Sequence, residues 1–427
     1  MTVTPFKYAA AGKAIPYRYR VLVLLFFLTF ITMLDRISIS LVGVRIKSDF
    51  NLSNTQWGWV TGVFALAYAI FELPSGMLGD IKGQRAALIR IVLFWSLLTA
   101  LTGFTTGLVS LVIVRFLFGM GEAGAFPNSS AVISRWFPAK ESCLAVSSLM
   151  AGVGVGSAVA PLIVVPIAVA LGWRASFWIN GAIGGVWVAV CFYWFRNNPS
   201  EMKGMPAKEV AFIEANRTVG DHKATISWKI ILKSRNVFAL AFSAFCAMWN
   251  LYFLVAWLAV FLRQGRNFTE TQTMWATSFV FIPAAICSFF CGMLSDWIIR
   301  KKGLKFGRRF IGATSMGIIA VLIFIVATTT SKTVLVSCLA INMVFQQFVG
   351  ITTFGGCIDI SGRNTGRIAG IVNGVGQIGA CFMAAIFGII VDLTGQNYNA
   401  PLFVITGVVF AGGLLFLLLD PTKKLAH

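Results

Sequence analysis

The chain has 427 residues, 58% of them hydrophobic and only 12% charged, where an ordinary soluble protein carries about 25%. With a mean hydropathy of +0.82 it has too much apolar surface for one soluble core, so a large soluble enzyme is excluded and a helical integral membrane protein is expected. The net charge of +20 sits between apolar runs, where it sets topology and faces anionic headgroups; no basic–aromatic stripe or zinc spacing indicates a nucleic-acid partner.

In chain order, residues 1–18 form a basic cytoplasmic arm with Lys7, Lys13 and Arg18. The apolar run 19–41 lacks a small-residue cleavage site, so it reads as a first span rather than a removable leader. It carries LDRISIS (34–40), with Asp35 and Arg36 side by side. Further spans of about 19–26 residues fall at 57–78, 86–106, 108–130, 144–168 and 173–194. Ser53 or Asn54 is poised to cap the second. Glycine-rich AGVGVGSAVAP (151–161) has no GK[ST] after it, so it reads as close helix packing rather than a phosphate loop.

Residues 195–235 are polar and charged, with a short helix expected near 206–217, and are too few to be a domain. Spans then follow at 236–262, 273–297, 308–328, 333–355, 366–390 and 398–419, ahead of a tail, 420–427. The alternating ten-residue segments of a membrane barrel are absent. The expected fold class is therefore all-α integral membrane: twelve transmembrane helices in two six-helix halves, 19–194 and 236–419, joined by a cytoplasmic linker. With the N-terminus inside, 27 of the 35 Lys and Arg lie on cytoplasmic segments and six outside (Arg45, Lys47, Arg174, Arg263, Arg266 and Lys332), which puts both termini in the cytoplasm.

GMLGDIKGQR (76–85) and GMLSDWIIRKKG (292–303) occupy matching places in the two halves, the mark of an internal duplication and of a transporter architecture. Gly76 and Gly292 suit close helix approach. Asp80 and Asp296, with basic neighbours such as Arg85, suit ion pairs that latch the cytoplasmic side.

Four charges of the first half lie within spans: Asp35, Arg36, Arg115 and Glu122. Each costs about 2.5–3.5 kcal/mol to insert, so function is the default explanation and a ligand-free structural ion network the competing one. Asp35 is about 24 Å up its span and Arg115 about 8–10 Å down its own, levels that coincide in a core of about 30 Å; an Asp35–Arg115 pair is expected. Glu122, seven residues after Arg115, falls near the midplane, a place for a carboxylate that loads and releases a proton. Arg36 points about 100° away from Asp35 and is free to fork onto a substrate carboxylate. Tyr68 and Glu72 lie on the second span; Tyr252, Asn342, Gln346, Gln347, Thr352, Thr353, Asn373 and Gln377 lie on second-half spans. Any one of these serves helix–helix hydrogen bonding equally well. Ions in one half and amides and hydroxyls in the other suit a solute with one anionic and one neutral end.

The eight cysteines fall in or beside apolar runs, and the two histidines, His222 and His427, in the linker and tail. No metal site, cofactor, HExxH or GxSxG is present, so an enzyme is not expected.

The chain resembles the major facilitator superfamily and, within it, the anion:cation symporter branch of hexuronate, galactonate, glucarate and sialin-type carriers. The resemblance rests on LDRISIS, AYAIFELPSG (67–76), RFLFGMGEAGAFPN (115–128), RWFP (135–138), LGWRASFW (171–178), GIVNGVGQIGA (370–380) and the two loops. It implies proton-driven symport of an organic anion, such as a sugar acid, by alternating access in a bacterial inner membrane. By resemblance Asp35 and Glu122 are proton-coupling, Arg115 is the charge partner of Asp35, and Arg36, Tyr68, Thr353, Phe354 and Asn373 meet substrate; Tyr252, from its place on a second-half span, is expected to line the same site. The implied partners are the anion, protons and lipid, with a monomer expected. Departures include Ile81 after Asp80, the proline-free WLAVFL of span seven and Phe354 where a tryptophan is frequent. An organophosphate antiporter would need a basic residue from each half, and a non-transporting sensor an appended signalling domain.

Overall fold

The computed structural model describes residues 15–138, 141–217, 231, 233–361 and 365–423. His222, His427 and the side chain of Asp80 lie outside the described residues. Among the described residues the regular elements are all helical. An N-terminal set comprises α1 (Tyr17–Leu41), α2 (Gly43–Asp49), α3 (Asn54–Lys82), α4 (Gln84–Thr102), α5 (Leu108–Glu122), α6 (Ala125–Trp136), α7 (Ser142–Leu171) and α8 (Trp173–Trp194). After the short α9 (Ala207–Asn216) comes a C-terminal set: α10 (Arg235–Tyr252), α11 (Glu270–Lys302), α12 (Leu304–Thr328), α13 (Lys332–Ser361), α14 (Thr365–Leu393) and α15 (Ala400–Phe416).

Nine helical stretches among the described residues are long and apolar enough to cross a membrane, and α11, bent by 45°, makes a tenth if taken as one span. The segments expected at 57–78 and 398–419 are helical too, as α3 and α15, but stand outside that group; α15 has only 17 residues.

The duplication read from the loops extends over whole helices. Ser53 begins α3 with a capping box, its hydroxyl accepting from the Gln56 amide at 3.1 Å while the Gln56 side chain accepts from the Ser53 amide at 3.0 Å. Thr269 and Gln272 begin α11 in the same way, at 3.2 and 3.1 Å. Both helices stop at a glycine with positive φ, Gly83 at 84° and Gly303 at 86°, a conformation that side chains with a Cβ resist.

Two spans are interrupted, the first for a local reason. Pro127 has no N–H for the Ala123 carbonyl, so the helix breaks just after Glu122 and restarts at Ala125. Beyond α10 the chain continues to Gly265 through π-helical turns at Phe253–Trp257 and Phe261–Gly265, with no proline present. Such turns are wide and often mark functional positions.

The two sets meet along α3 with α14 and α7 with α11. Small residues permit the approach: a Cβ on Gly58 would stand 2.4 Å from the Ala384 carbonyl, and one on Gly388 2.1 Å from the Asn54 carbonyl. Hydrogen bonds and ion pairs between the sets gather toward one end. There Glu270 of α11 accepts from Arg45 Nε and Nη2, each at 2.9 Å, while Arg263 Nη1 of its own set lies 2.8 Å away. Asp392 of α14 accepts from the Thr55 amide and hydroxyl, both at 2.7 Å, and from Asn54 Nδ2 at 2.9 Å. Lys47 donates to Asn54 Oδ1 and, at 2.8 Å, to Gln264 Oε1; the Tyr398 hydroxyl lies 2.8 and 2.7 Å from the same two oxygens. At the opposite end, where α1 begins and α15 finishes, the ion pairs among the described residues stay within one set or its linker: Arg18 with Glu141 and Glu209, Arg308 with Asp359, Lys305 with Asp420.

Candidate functional site

The intramembrane charges converge inside the N-terminal set. The break at Ala123 leaves Glu122 as the last residue of α5, 1% exposed. Arg36 reaches it from α1: Nε lies 2.6 Å and Nη2 2.5 Å from one oxygen, Oε1. The same guanidinium lies over the rings of Tyr68, 4.8 Å from the centroid, and Phe64, at 5.2 Å. These are one helical turn apart on α3, which therefore offers a cationic side chain two aromatic faces.

The expected Asp35–Arg115 ion pair is absent. Asp35 is 1% exposed, and neither of its oxygens has a hydrogen-bond partner; Thr99 of α4 lies near it without hydrogen-bond geometry. Arg115 is drawn to aromatic faces instead, 4.7 Å from the centroid of Phe118 and 5.2 Å from that of Phe64. Depth placed Asp35 and Arg115 at one level, but depth fixes no azimuth. The short aspartate side chain does not reach around α1, whereas the longer arginine beside it reaches Glu122. Arg115 thus stays within charge range of Asp35 without a direct bond, and the direct carboxylate–guanidinium contact is Glu122–Arg36. Phe64, stacked on both guanidiniums, escaped the sequence reading; its i, i+4 spacing to Tyr68 was the available signal.

Four buried atoms here have no hydrogen-bond partner: both oxygens of Asp35, Oε2 of Glu122 and Nε of Arg115. Buried polar groups are normally satisfied, so these atoms set the site apart from an ordinary apolar helix seam.

The C-terminal set contributes neutral groups. Asn373 of α14 donates from Nδ2 to both oxygens of Glu72, at 2.6 and 2.7 Å. The Tyr252 hydroxyl, just before the first π-helical turn, donates to the Thr61 carbonyl at 2.8 Å. Thr353 turns back on its own helix, bonding the Val349 carbonyl at 2.8 Å, and Phe354 is half-exposed. Asn342 and Gln346 are consumed by Asn250 in the α10–α13 seam. Asn373 thus joins the N-terminal set directly, and the Thr353 hydroxyl is spent locally.

At the opposite end, Arg85 is held by α8, its Nη2 donating to the Phe192 carbonyl at 2.5 Å and its amide bonding Asn197 Oδ1 at 2.9 Å. Asp296 is exposed. The close approach expected at Gly292 is not there, since a Cβ would meet nothing within 4 Å. In the first loop Gly76 sits in ordinary contact with Pro127, and the tight position is Gly79, against Asn128. The side chain of Asp80, the first-loop member of the latch expected here, lies outside the described residues.

A model of the Major Facilitator Superfamily matches residues 25–302 and again 240–427. A hexuronate transporter of Bacillus subtilis is 30% identical over 404 residues, 92% of each chain. A protein of Cupriavidus necator named "Probable sulfoacetate transporter" is 28% identical, covering 96% of this chain and 95% of its own. A D-galactonate transporter of Escherichia coli is 26% identical over 96% and 97%. Among solved structures, a bacterial homologue of the human lysosomal transporter Spinster, in an inward-facing and occupied conformation, superposes with a TM-score of 0.76 at 20% identity, covering 94% of this chain and 97% of that one. The chain belongs to the major facilitator superfamily, a family of membrane transporters, and its curated relatives include proteins named as carriers of sugar acids and of a small sulfonate.

Proposed function

We propose that this chain is a secondary active transporter that carries an organic anion in symport with protons by alternating access. The anion is a sugar acid or a small carboxylate of similar size. The full fold is twelve spans with both termini in the cytoplasm of a bacterium's inner membrane, so the end tied by Glu270 and Asp392 faces outward and the conformation is inward-open. The supporting observation is the Arg36–Glu122 pair inside the bundle, with Asp35 unpartnered beside it. An incoming carboxylate competes with Glu122 for Arg36, and a Glu122 released from its cation in oil takes a proton. Entry of the anion and uptake of the proton are then one event. Asp35 and Arg115 complete the charge set, and Tyr68 and Asn373 fix the rest of the solute. An organophosphate antiporter is disfavoured because the arginines in and just beyond the second π-helical turn, at the outer end of the span that α10 begins, are committed elsewhere: Arg263 to Glu270, and Arg266 to the Thr329, Val326 and Ala327 carbonyls.

The test is uptake into proteoliposomes of D-glucuronate, D-galactonate, D-glucarate and sulfoacetate, with and without an inward proton gradient. Accumulation above the outside concentration is expected only with the gradient. Accumulation of equal extent without it would sink the coupling.

The outer seal gives two further expectations. In Glu270→Gln the outer gate loosens; a half-buried two-arginine contact of about 1 kcal/mol corresponds to roughly fivefold faster alkylation of Cys381 from outside. Cys381 is a fair reporter because it is buried in the α3–α14 seam against Gly62. An unchanged rate would remove Glu270 from the gate. Lys47, in α2 outside the spans, is lowered to about 8 by burial, with Asp392 pulling the other way. Opening returns it to water and to the ordinary lysine range, so the closed gate carries a penalty while Lys47 is charged. That penalty is relieved as outside pH rises from about 8 toward 10.5, and closure strengthens over that window. A spin-label pair at Ser48 and Ser331 should report a growing short-distance population there, and Lys47→Met should abolish the trend.

A further inference from the structure

A third carboxylate lies inside the bundle, and the transport scheme above leaves it without a task. Glu72 is 7% exposed on α3, and both its oxygens accept from a single donor, the amide nitrogen of Asn373 on α14. This bond joins the two sets. Along α3 from the outer end come Asn54 and Thr55 with Asp392, then the Thr61 carbonyl with Tyr252, then Glu72 with Asn373.

Glu72 is one turn past Tyr68, whose ring carries Arg36, so the Arg36–Glu122 pair and the Glu72–Asn373 pair are about 6 Å apart along α3. Each end of one space thus holds a protein carboxylate on a group fit for a solute: a guanidinium at one end and an amide at the other. Three buried carboxylates, Asp35, Glu72 and Glu122, face two guanidiniums, Arg36 and Arg115. Glu72 is the one whose direct partner is neutral. A solute whose hydroxyl or carbonyl takes the Asn373 amide removes that donor, and a buried carboxylate left without it is costly in its charged form.

We propose that Glu72 is a further proton-carrying residue of the transport cycle: it holds Asn373 while the site is empty and takes up a proton when the polar end of the solute claims that amide. This rests on the symport reading above and extends it to the neutral end of the site. The charged and titratable groups that act on Glu72 are Arg36 on α1 and Tyr68 on its own helix; α14 carries no ionisable residue over 368–380. Proton uptake at Glu72 ties solute recognition to the contact that joins the two sets, and so to the change between open states.

The test counts protons bound with the solute. Purified protein in a weakly buffered detergent solution with a pH dye receives a mixture of D-glucuronate, D-galactonate, D-glucarate and sulfoacetate, and binding is followed in parallel by thermal shift. The wild type should take up protons. Glu72→Gln, which keeps an acceptor for Asn373 but cannot ionise, should bind the mixture and take up roughly half as many. An equal count in the variant overturns the role of Glu72 and leaves the symport reading standing; no uptake by the wild type overturns both. Asn373→Ala is the second arm. Its Glu72 has already lost the donor, so uptake should fall to the Glu72→Gln value, and wild-type uptake there overturns the proposal even if Glu72→Gln fails to fold.

Discussion

Uptake of the preferred anion by an Arg36→Lys variant should fall about a hundredfold, although the charge is conserved. The guanidinium brings two nitrogens to one oxygen of Glu122 and lies flat over Tyr68 and Phe64. An ammonium is a compact point charge that neither forks onto a carboxylate nor stacks on a ring in the same way, so the exchange of Glu122 for a substrate carboxylate loses its geometry. Arg36→Gln removes the charge as well and leaves Glu122 buried without its cation, a cost of about 3–5 kcal/mol. Pairing it with Glu122→Gln should restore folded protein but not uptake, which separates the stabilising part of the contact from the transport part. Uptake by Arg36→Lys within a few-fold of wild type would show that the fork is not what recognises the anion.

Much of the helical scaffold could be read in advance because its causes are local. Apolar runs of membrane length, the Ser53 cap, the glycines after Lys82 and Lys302 and the short helix at Ala207–Asn216 each follow from a few adjacent residues. The break at Ala123 within the span expected at 108–130 was not anticipated, although Pro127 dictates it locally. The partners of the buried charges did not follow. Rise per residue gives depth, and depth correctly brought α1 and α5 together, but rotation about each helix decides who touches whom. Asp35 and Arg36 differ by about 100° of azimuth, and this is the difference between an unpartnered carboxylate and an ion pair. Glu72 stayed ambiguous in sequence for a related reason. Its partner is 301 positions away on the other set, at a seam that only the packing of α3 on α14 defines. The π-helical turns after Tyr252 carry no proline or glycine signature at their start, so nothing in WLAVFL announces them.

Glu122→Gln tests the coupling itself. The variant keeps a neutral acceptor near Arg36 but cannot ionise, so it imitates a carboxylate that never gives up its proton. Substrate binding to Arg36 should survive, because the competing anion is gone. The empty carrier, however, must shed its proton inside before it returns outward, and the variant cannot. Gradient-driven accumulation is therefore expected to fall more than about tenfold, while exchange of labelled for unlabelled anion, which never requires an empty return, stays within about threefold of wild type. Asp35→Asn makes the contrast informative. Asp35 touches no cation directly, so losing its charge leaves Arg36–Glu122 intact. If Asp35 also carries protons, the two variants share the exchange-only phenotype. If it only balances Arg115, Asp35→Asn weakens exchange and accumulation together. Full accumulation by Glu122→Gln would mean that the buried Arg36–Glu122 pair is structural, and coupling would have to reside in the other carboxylates of the bundle.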